Sequence, residues 1–173
     1  MRRHVFSTAY SYELPFGPGK RWATRTGAIG KVTGGWQIAG ITYLRTGQPF
    51  SVAFNTALAG WAGGRADILR NPNLSRSERN EYRWFDTSAF AVPREFTYGN
   101  SSRNLLFAPG DIVFDMSLLK DTKINEKFRV QFRVESFNLP NHANLGGPGT
   151  NISVDGSVGR ITSVGDPRQI QLA

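Results

Sequence analysis

The stretch that decides the fold is FRVQFRVESFNLPNH, residues 128–142. Every second side chain in its first half is apolar: Phe128, Val130, Phe132 and Val134. The side chains between them are polar or charged: Arg129, Gln131, Arg133 and Glu135. Because successive side chains of a strand point to opposite faces, this pattern predicts a strand with one apolar and one polar face.

The same alternation recurs along the chain. Nineteen glycines and nine prolines separate the extended segments, since both residue types interrupt regular strands. The predicted strands cover 4–14, 35–54, 111–124, 128–138 and 168–173. A short helical turn is expected within 24–33, and Asn125-Glu126-Lys127 is expected to form a tight turn.

The lengths of the connections indicate the fold class. A very long connection, 55–110, and a very short one follow each other, and another long one comes after 138. Short turns that alternate with long loops between antiparallel strands are typical of a transmembrane β-barrel with short periplasmic turns and long extracellular loops. We therefore expect an all-β antiparallel meander that forms part of such a barrel. Its aromatic girdles would be supplied by Tyr10, Tyr12, Trp36, Phe128 and Phe137.

A barrel of this kind predicts which solvent each face meets. The apolar side of this strand, which starts with Phe128, would contact lipid. The polar side, formed by Arg129, Gln131, Arg133 and Glu135, would face the lumen. A soluble β-sandwich module, with the apolar side in a protein core and the 82–98 loop binding a carbohydrate or polyanion, predicts the same alternation. Periodicity leaves both alternatives open.

The long connection 55–110 holds the best candidates for ligand contact. It is rich in glycine, asparagine, serine and arginine but contains too many aromatic residues for a disordered linker. Stacking faces and cations for a sugar, peptide or aromatic chelate would come from Arg83, Trp84, Phe85, Tyr98 and Arg103. The alternative is that these aromatic residues only pack the loop against itself.

Charge and residue chemistry argue against several other functions. The net charge of +8 comes from basic residues scattered along the chain, without a nucleic-acid-binding motif, so we expect surface charge and no nucleic-acid partner. Attraction to a phosphate-rich lipid surface is a second use of this charge. The 173 residues contain no cysteine and only two histidines, His4 and His142, so neither a metal site nor a cofactor is expected. No nucleophile motif is visible, and we expect a protein that is not an enzyme.

Five stretches resemble one family over nearly the whole chain. In order, they are YSYELPFGPGKRW, GGWQIAGITYLRTGQPFSV, RWFDTSAFAVPREFTYGNSSRNLLFAPGDIVFDMSLLKD, FRVQFRVESFNLPNHANLGGPGTNIS and GRITSVGDPRQIQLA. Their order and spacing are similar to those of the Oar-like TonB-dependent transporters, in the last part of the outer-membrane barrel.

This resemblance implies that residues 1–173 are the C-terminal portion of a barrel of roughly 22 strands. Family members carry an N-terminal carboxypeptidase-regulatory-like domain and a plug, and they import bulky nutrients with energy passed through TonB. The implied partners are outer-membrane lipid, lipopolysaccharide, the TonB system through the plug, and a small or oligomeric substrate. The sequence shows no plug, no signal peptide and no terminal aromatic residue after Ala173, so we expect a fragment of a longer protein.

Overall fold

A computed structural model describes residues 1–55 and 64–173. Trp61, which belongs to the predicted functional loop, lies outside the described residues. The strands, in chain order, are β1 (Val5–Glu13), β2 (Trp36–Arg45), β3 (Pro49–Phe50), β4 (Ala53–Phe54), β5 (Gly64–Arg65), β6 (Asp67–Ile68), β7 (Phe90–Ala91), β8 (Leu106–Phe107), β9 (Asp111–Lys123), β10 (Arg129–Phe137) and β11 (Gln169–Leu172). One α-helix, α1 (Gly27–Thr33), and one 3-10 helix (Thr87–Ala89) complete the described elements.

The five longest strands form one sheet in the order β1-β2-β9-β10-β11. Strand β10 is antiparallel to both of its neighbours, with Val134 opposite Leu118 on one side and Leu172 on the other. Each sheet strand therefore lies beside the next sheet strand along the chain, which is the predicted meander. The remaining strands form two-stranded ladders, β3 with β8, β4 with β5 and β6 with β7.

The turn between β9 and β10 is as tight as its sequence predicts. The side-chain oxygen of Asn125 accepts hydrogen bonds from the backbone N–H groups of Lys127 and Phe128, each at 2.9 Å. Asparagine side chains commonly close turns in this way. Four of the predicted strands and the short helix within 24–33 are confirmed, and no end of these strands differs from the prediction by more than one residue.

The prediction of a single strand over 35–54 is wrong beyond Arg45. Strand β2 ends there, and the chain then bends into the short strands β3 and β4. Gly47 explains the interruption, because a Cβ atom at this position would lie 1.6 Å from the carbonyl oxygen of Ala108. Only glycine permits so close an approach of two backbones, and Ala108 N–H then donates to the carbonyl of Gln48 at 2.9 Å.

The chain divides into two compact units. The sheet unit consists of 5–44, 112–142 and 166–173. The loop unit consists of 1–4, 45–111 and 143–165, and it therefore contains most of both long connections of the meander.

The loop unit has its own hydrophobic core. Six buried side chains form it: Val52, Ala66, Phe85, Ala89, Phe90 and Leu106. The rings of Phe85 and Phe90 meet edge to face with centroids 5.9 Å apart, a favourable aromatic geometry. Ile152 and Val158, from the second long connection, pack against this core. The described parts of the long connections thus bury apolar residues of their own.

The sheet unit buries a different kind of side chain. Within the described part of the chain, its buried polar or charged residues are Thr42, Lys120, Ser136 and Asn138, whereas all the buried aliphatic and aromatic side chains belong to the loop unit. Large apolar side chains of the sheet are instead exposed, among them Val130 and Phe132. Among the residues described, no helix is both long enough and apolar enough to cross a membrane.

Candidate functional site

The strand register assigns each side chain of β10 to a face of the sheet. Directly opposite residues of an antiparallel pair lie on the same face. Glu135 pairs with Ser117 and Gln171, and Gln131 pairs with Asp121, which places polar side chains of three strands on one face. The other face carries Met116 and Leu118 from β9, Val130, Phe132 and Val134 from β10, and Ile170 and Leu172 from β11.

The polar face carries a continuous row of side-chain hydrogen bonds. Gln131 donates to Asp121 at 3.2 Å, and Arg133 donates to Gln131 at 2.9 Å. The Arg133 guanidinium also lies 3.6 Å from the Glu135 carboxylate, to which Gln171 donates at 3.0 Å. Three of the four predicted lumen-facing residues are therefore joined in one network. Arg129, opposite Lys123, lies on the same face.

The opposite face of the sheet is apolar and exposed. Val130 is 53% exposed and Leu172 is 68% exposed. Four of the five predicted girdle residues are exposed: Tyr10, Tyr12, Phe128 and Phe137. Phe137, however, lies opposite Gln169 on the polar face, so its assignment to a lipid-facing girdle is wrong. The ring of Tyr10 lies over Gly40, where a Cβ atom would come within 2.7 Å of the ring. The absence of a side chain at Gly40 therefore leaves room for this ring to pack against the sheet.

Lys120 is the charged residue on this apolar face, opposite Phe132. Its ammonium donates to the carbonyl oxygen of Lys31 at 2.7 Å and to that of Gly34, at the C-terminal end of α1. The ammonium also lies 5.6 Å from the ring centroid of Trp36. A cation at a helix C-terminus pairs with carbonyl groups that have no partner within the helix. Lys120 is therefore buried with its hydrogen-bonding capacity used.

The structure gives the five predicted ligand-contacting residues different environments. Phe85 is 1% exposed and belongs to the core of the loop unit, so its ring is covered by protein. Trp84 packs against the same core and donates from its indole N–H to the carbonyl of Phe107 at 2.7 Å. Arg83, Tyr98 and Arg103 are exposed. Phe85 and Trp84 therefore pack the loop against itself, which is the alternative to ligand contact given in the sequence analysis.

The Asp86 carboxylate forms hydrogen bonds with side chains before and after it in the chain. Its carboxylate accepts from the hydroxyl of Ser88 at 2.7 Å and from the guanidinium of Arg70 at 2.9 Å. The hydrogen bond from Ser88, followed by the contact with Arg70, holds the pKa of Asp86 below its ordinary value, and burial opposes this shift only in part. Arg83 lies farther away, at 3.8 Å from the same carboxylate. Asp86 therefore remains ionised and is mainly engaged by Arg70 and Ser88.

Sequence reasoning missed Arg160 as a neighbour of this segment. The guanidinium of Arg160 lies 5.4 Å from the ring centroid of Tyr82, although the two residues are far apart in the chain. Both side chains are exposed. In the described ranges, no group of three or more histidine, aspartate or glutamate residues is placed to hold a metal ion.

Comparison with known proteins identifies the family. No curated protein and no solved structure matches the chain. A family model described as "Outer membrane beta barrel domain" matches residues 1–171. The mostly antiparallel strands and the two-faced sheet agree with that description. The match covers nearly the whole chain, so the protein belongs to the outer membrane beta barrel domain family and its location is the bacterial outer membrane.

Proposed function

We propose that this chain forms part of the barrel wall of a TonB-dependent transporter, which imports a bulky nutrient across the outer membrane. The nutrient is a sugar, a peptide or a chelate, and the protein acts without catalysis. The resemblance of five stretches to Oar-like transporters motivates the proposal. The observation that carries it is the contrast between the apolar, exposed face and the hydrogen-bonded polar face of one sheet.

The apolar face fits a lipid environment. Exposed apolar patches on soluble proteins rarely exceed a few hundred Å², whereas a transmembrane barrel presents an apolar band to lipid along its whole circumference. Val130 and Phe132 on β10 and Ile170 and Leu172 on β11 supply adjoining parts of such a band. Outer-membrane lipid and lipopolysaccharide are the partners that this face requires.

The polar face fits the lumen of the barrel. The row from Asp121 through Gln131 and Arg133 to Glu135 uses side chains that remain partly exposed, as expected beside water or a polar plug. In the proposed transporter, this face meets a plug whose contact with TonB controls entry of the substrate. The function requires neither a cofactor nor nucleic acid.

The loop unit fits the extracellular side of a transporter. Long loops of outer-membrane barrels lie outside the cell, and here they have a folded core instead of an irregular path. A preformed surface loses less conformational entropy when a ligand binds. The soluble β-sandwich module is not retained as an alternative, because the chain belongs to an outer-membrane family.

The assignment of faces can be tested on β10. Val134→Arg, in the complete protein, places a charge at the middle of β10 on the proposed lipid face, opposite Leu118 and Leu172. It should cost about 2–4 kcal/mol, as an arginine near the bilayer midplane does. Assembly is measured by heat modifiability, the change in gel mobility between folded and boiled barrels. The Val134→Arg variant should show a strongly reduced folded band.

Arg129→Ala is the control, because Arg129 lies on the same strand and points to the opposite face. It should assemble as the unmodified protein does. Equal assembly of the two variants would contradict the assignment of faces.

The energy source needs a separate experiment. Uptake of a labelled panel of oligosaccharides, peptides and ferric chelates is compared between cells with and without TonB. We expect uptake of one class to fall to background without TonB. Uptake of that class that does not depend on TonB would identify a passive pore instead.

A further inference from the structure

The connection between β1 and β2, residues 15–35, lies at the same end of the sheet as the tight turn between β9 and β10. Leu14 N–H donates to the carbonyl of Trp36 at 2.8 Å, and Asp121 N–H, just before that turn, donates to the carbonyl of Gly35 at 2.8 Å. Both long connections of the meander leave from the opposite strand ends. In outer-membrane barrels the short turns lie on the periplasmic side. We therefore name residues 15–35 the periplasmic segment, and we expect it beside the inner leaflet of the outer membrane.

The periplasmic segment is folded and held against the apolar face of the sheet. Gly17 N–H donates to the carbonyl of Trp22 at 2.9 Å, and Trp22 N–H donates to the carbonyl of Pro15 at 3.0 Å, which closes a turn. Lys120, on the apolar face of β9, donates to the carbonyl of Lys31 in α1 at 2.7 Å. The segment therefore lies at the periplasmic end of the face that is assigned to lipid.

The surface that this segment exposes is partly apolar. In α1, Ile29 is 51% exposed and Val32 is 68% exposed, and residues three apart on a helix lie side by side. Trp22 and Phe16 are also exposed, with ring centroids 5.8 Å apart. Removal of such side chains from water is favourable, and the headgroup boundary of a bilayer takes up tryptophan and aliphatic residues in this way. The pattern is typical of a segment that lies on a membrane surface.

The charged side chains of the segment are all positive. Residues 15–35 contain no aspartate or glutamate and four exposed basic residues, which equal half of the chain's net charge of +8: Lys20, Arg21, Arg25 and Lys31. The Arg21 guanidinium lies 5.3 Å from the ring centroid of Trp22. The Lys31 ammonium donates to the carbonyl of Ile124 at 3.4 Å, which uses one of its three donors. Cations and apolar side chains are therefore adjacent on one surface.

Carboxylates from the neighbouring strands do not cancel this charge. Glu13 pairs with Lys20 at 2.6 Å, Asp121 accepts from Gln131 on the polar face, and Glu126 lies in the tight turn. Residues 13–35 and 120–129 together contain eight basic and three acidic side chains, a net charge of +5. This end of the sheet therefore carries more than half of the chain's net positive charge.

We propose that the periplasmic segment binds anionic phospholipid of the inner leaflet. Arg21, Arg25 and Lys31 pair with headgroup phosphates, because each basic residue near an anionic membrane surface adds to the attraction. Ile29 and Val32 insert beside them at the boundary with the acyl chains. This inference rests on the orientation of the sheet in the proposed function but not on TonB or on the nutrient. It goes beyond transport, because it assigns a specific lipid class to one end of the barrel wall.

The test measures lipid selectivity in the complete protein, held in a neutral detergent. Fluorescently labelled phosphatidylglycerol and phosphatidylcholine with identical acyl chains are the probes, and binding is followed by anisotropy. The unmodified protein should prefer phosphatidylglycerol by about tenfold or more. This preference should fall to less than about twofold when three cations of the segment are removed together: Arg21→Gln, Arg25→Gln and Lys31→Gln.

A second triple variant is the matched control for charge. It removes three exposed arginines of the loop unit, so the net charge changes equally, and the preference for phosphatidylglycerol should persist: Arg76→Gln, Arg94→Gln and Arg103→Gln. All six positions are exposed, so the folded band in the heat-modifiability gel should persist in both variants.

The apolar contribution is tested at unchanged charge. Ile29→Ser combined with Val32→Ser should weaken phosphatidylglycerol binding by about threefold or more. Serine has a helix propensity close to those of isoleucine and valine, so α1 should be retained. Leu69→Ser combined with Val92→Ser removes two exposed apolar side chains of the loop unit and should leave the affinity unchanged.

Four results would overturn the proposal. The unmodified protein could show no preference for phosphatidylglycerol, or the two triple variants could lose it equally, which would show that net charge alone attracts the lipid. Displacement of the probe by millimolar inorganic phosphate would indicate an anion site and not a membrane contact. Lipopolysaccharide binding that depends on Arg21, Arg25 and Lys31 would place this end of the sheet at the outer leaflet.

Failure of this inference can be distinguished from failure of the proposed function. The Val134→Arg and TonB experiments test the barrel wall and the energy source, and neither uses the periplasmic segment. Normal results there, together with no preference for phosphatidylglycerol, would leave the transporter and remove only the lipid site.

Discussion

The loop unit and the sheet unit differ in the side chains that they bury. In the loop unit, Phe85 and Leu106 are 1% and 3% exposed and form a core of the kind found in soluble domains. In the sheet unit, Lys120 and Ser136 are buried while Val130 and Leu172 are exposed. Burial of apolar surface is favourable only where the alternative is water. The contrast therefore indicates two different solvents along one chain.

The difference also separates the sources of stability. The loop unit gains free energy by removing aromatic and aliphatic surface from water. A sheet that spans a membrane gains little in this way and depends on the pairing of its backbone groups, because lipid offers them no partner. Substitutions in a core should therefore affect mainly the loop unit, and substitutions at hydrogen-bonded junctions should affect mainly the sheet unit.

The largest effect is expected for Phe85→Ala in the loop unit. Removal of this ring from a packed core should destabilise the unit by about 3–5 kcal/mol. The arginine-rich loop unit should then be cleaved faster by trypsin on intact cells. The folded band in the heat-modifiability gel should persist, because all the residues of this core belong to the loop unit.

Phe96→Ala is the matched control for this experiment. Phe96 is a phenylalanine of the same unit that is 78% exposed, so its removal should change stability by no more than about 0.5 kcal/mol. Loss of the folded band in Phe85→Ala would show that the two units unfold together, and the comparison between them would fail.

A smaller effect is expected for Asn138→Ala in the sheet unit. The Asn138 side chain accepts from the N–H of His142 at 3.0 Å and donates to the carbonyl oxygens of His142 at 2.9 Å and Asp166 at 3.0 Å. Its φ of 49° lies in the left-handed region, which asparagine tolerates better than alanine. Loss of these buried bonds should cost about 1–3 kcal/mol.

Asn138→Ala is measured as a lower urea midpoint for loss of the folded band. Asn138→Asp retains the acceptor for His142 but places a buried carboxylate oxygen against the carbonyl oxygens of His142 and Asp166, so its midpoint should lie no higher than that of the alanine variant. Faster trypsin cleavage of the loop unit, with no change in the urea midpoint, would contradict this prediction, because it would show that Asn138 stabilises the loop unit and not the sheet unit.

Much of the sheet was predictable because its pattern is local. Alternation in 128–138 and the turn at Asn125 depend on residues within a few positions of each other, and both are confirmed. The end of β2 was not predictable, since it depends on Gly47 meeting the distant carbonyl of Ala108. Which of the aromatic residues in 82–98 are buried and which are exposed was not predictable from the sequence either.

The candidate site on the loop unit was only partly predictable for the same reason. Arg83 was predicted from its aromatic neighbours, but the neighbour of Tyr82 is Arg160, from the other long connection. Whether an aromatic side chain packs inward, as Phe85 does, or remains exposed, as Tyr82 does, depends on contacts that no local pattern encodes.

The smallest effect concerns acid and the Asp86 carboxylate of the loop unit. The folded state lowers the pKa of Asp86 from an ordinary value of 3.8, mainly through the Ser88 hydroxyl and then through Arg70. A lowered pKa means that folding favours the ionised form, so this stabilisation is complete above about pH 4 and is lost as the pH falls through the lower folded value. Ser88→Ala should bring the pKa back toward 3.8 and cost about 1 kcal/mol or less at pH 7.

The measurement is thermal unfolding between pH 3 and pH 7, followed by fluorescence in a variant that retains Trp84 as its only tryptophan. The unmodified loop unit should lose more stability than Ser88→Ala between pH 4 and pH 3, because more of its stability is linked to the ionised carboxylate. Ser77→Ala removes a hydroxyl that contacts Ser75 at 3.1 Å and should follow the unmodified protein. If Ser88→Ala and the unmodified protein lost equal stability over that range, the loop unit would owe nothing to this carboxylate. Its stability would then come from the hydrophobic core alone, which would make its contrast with the sheet unit sharper.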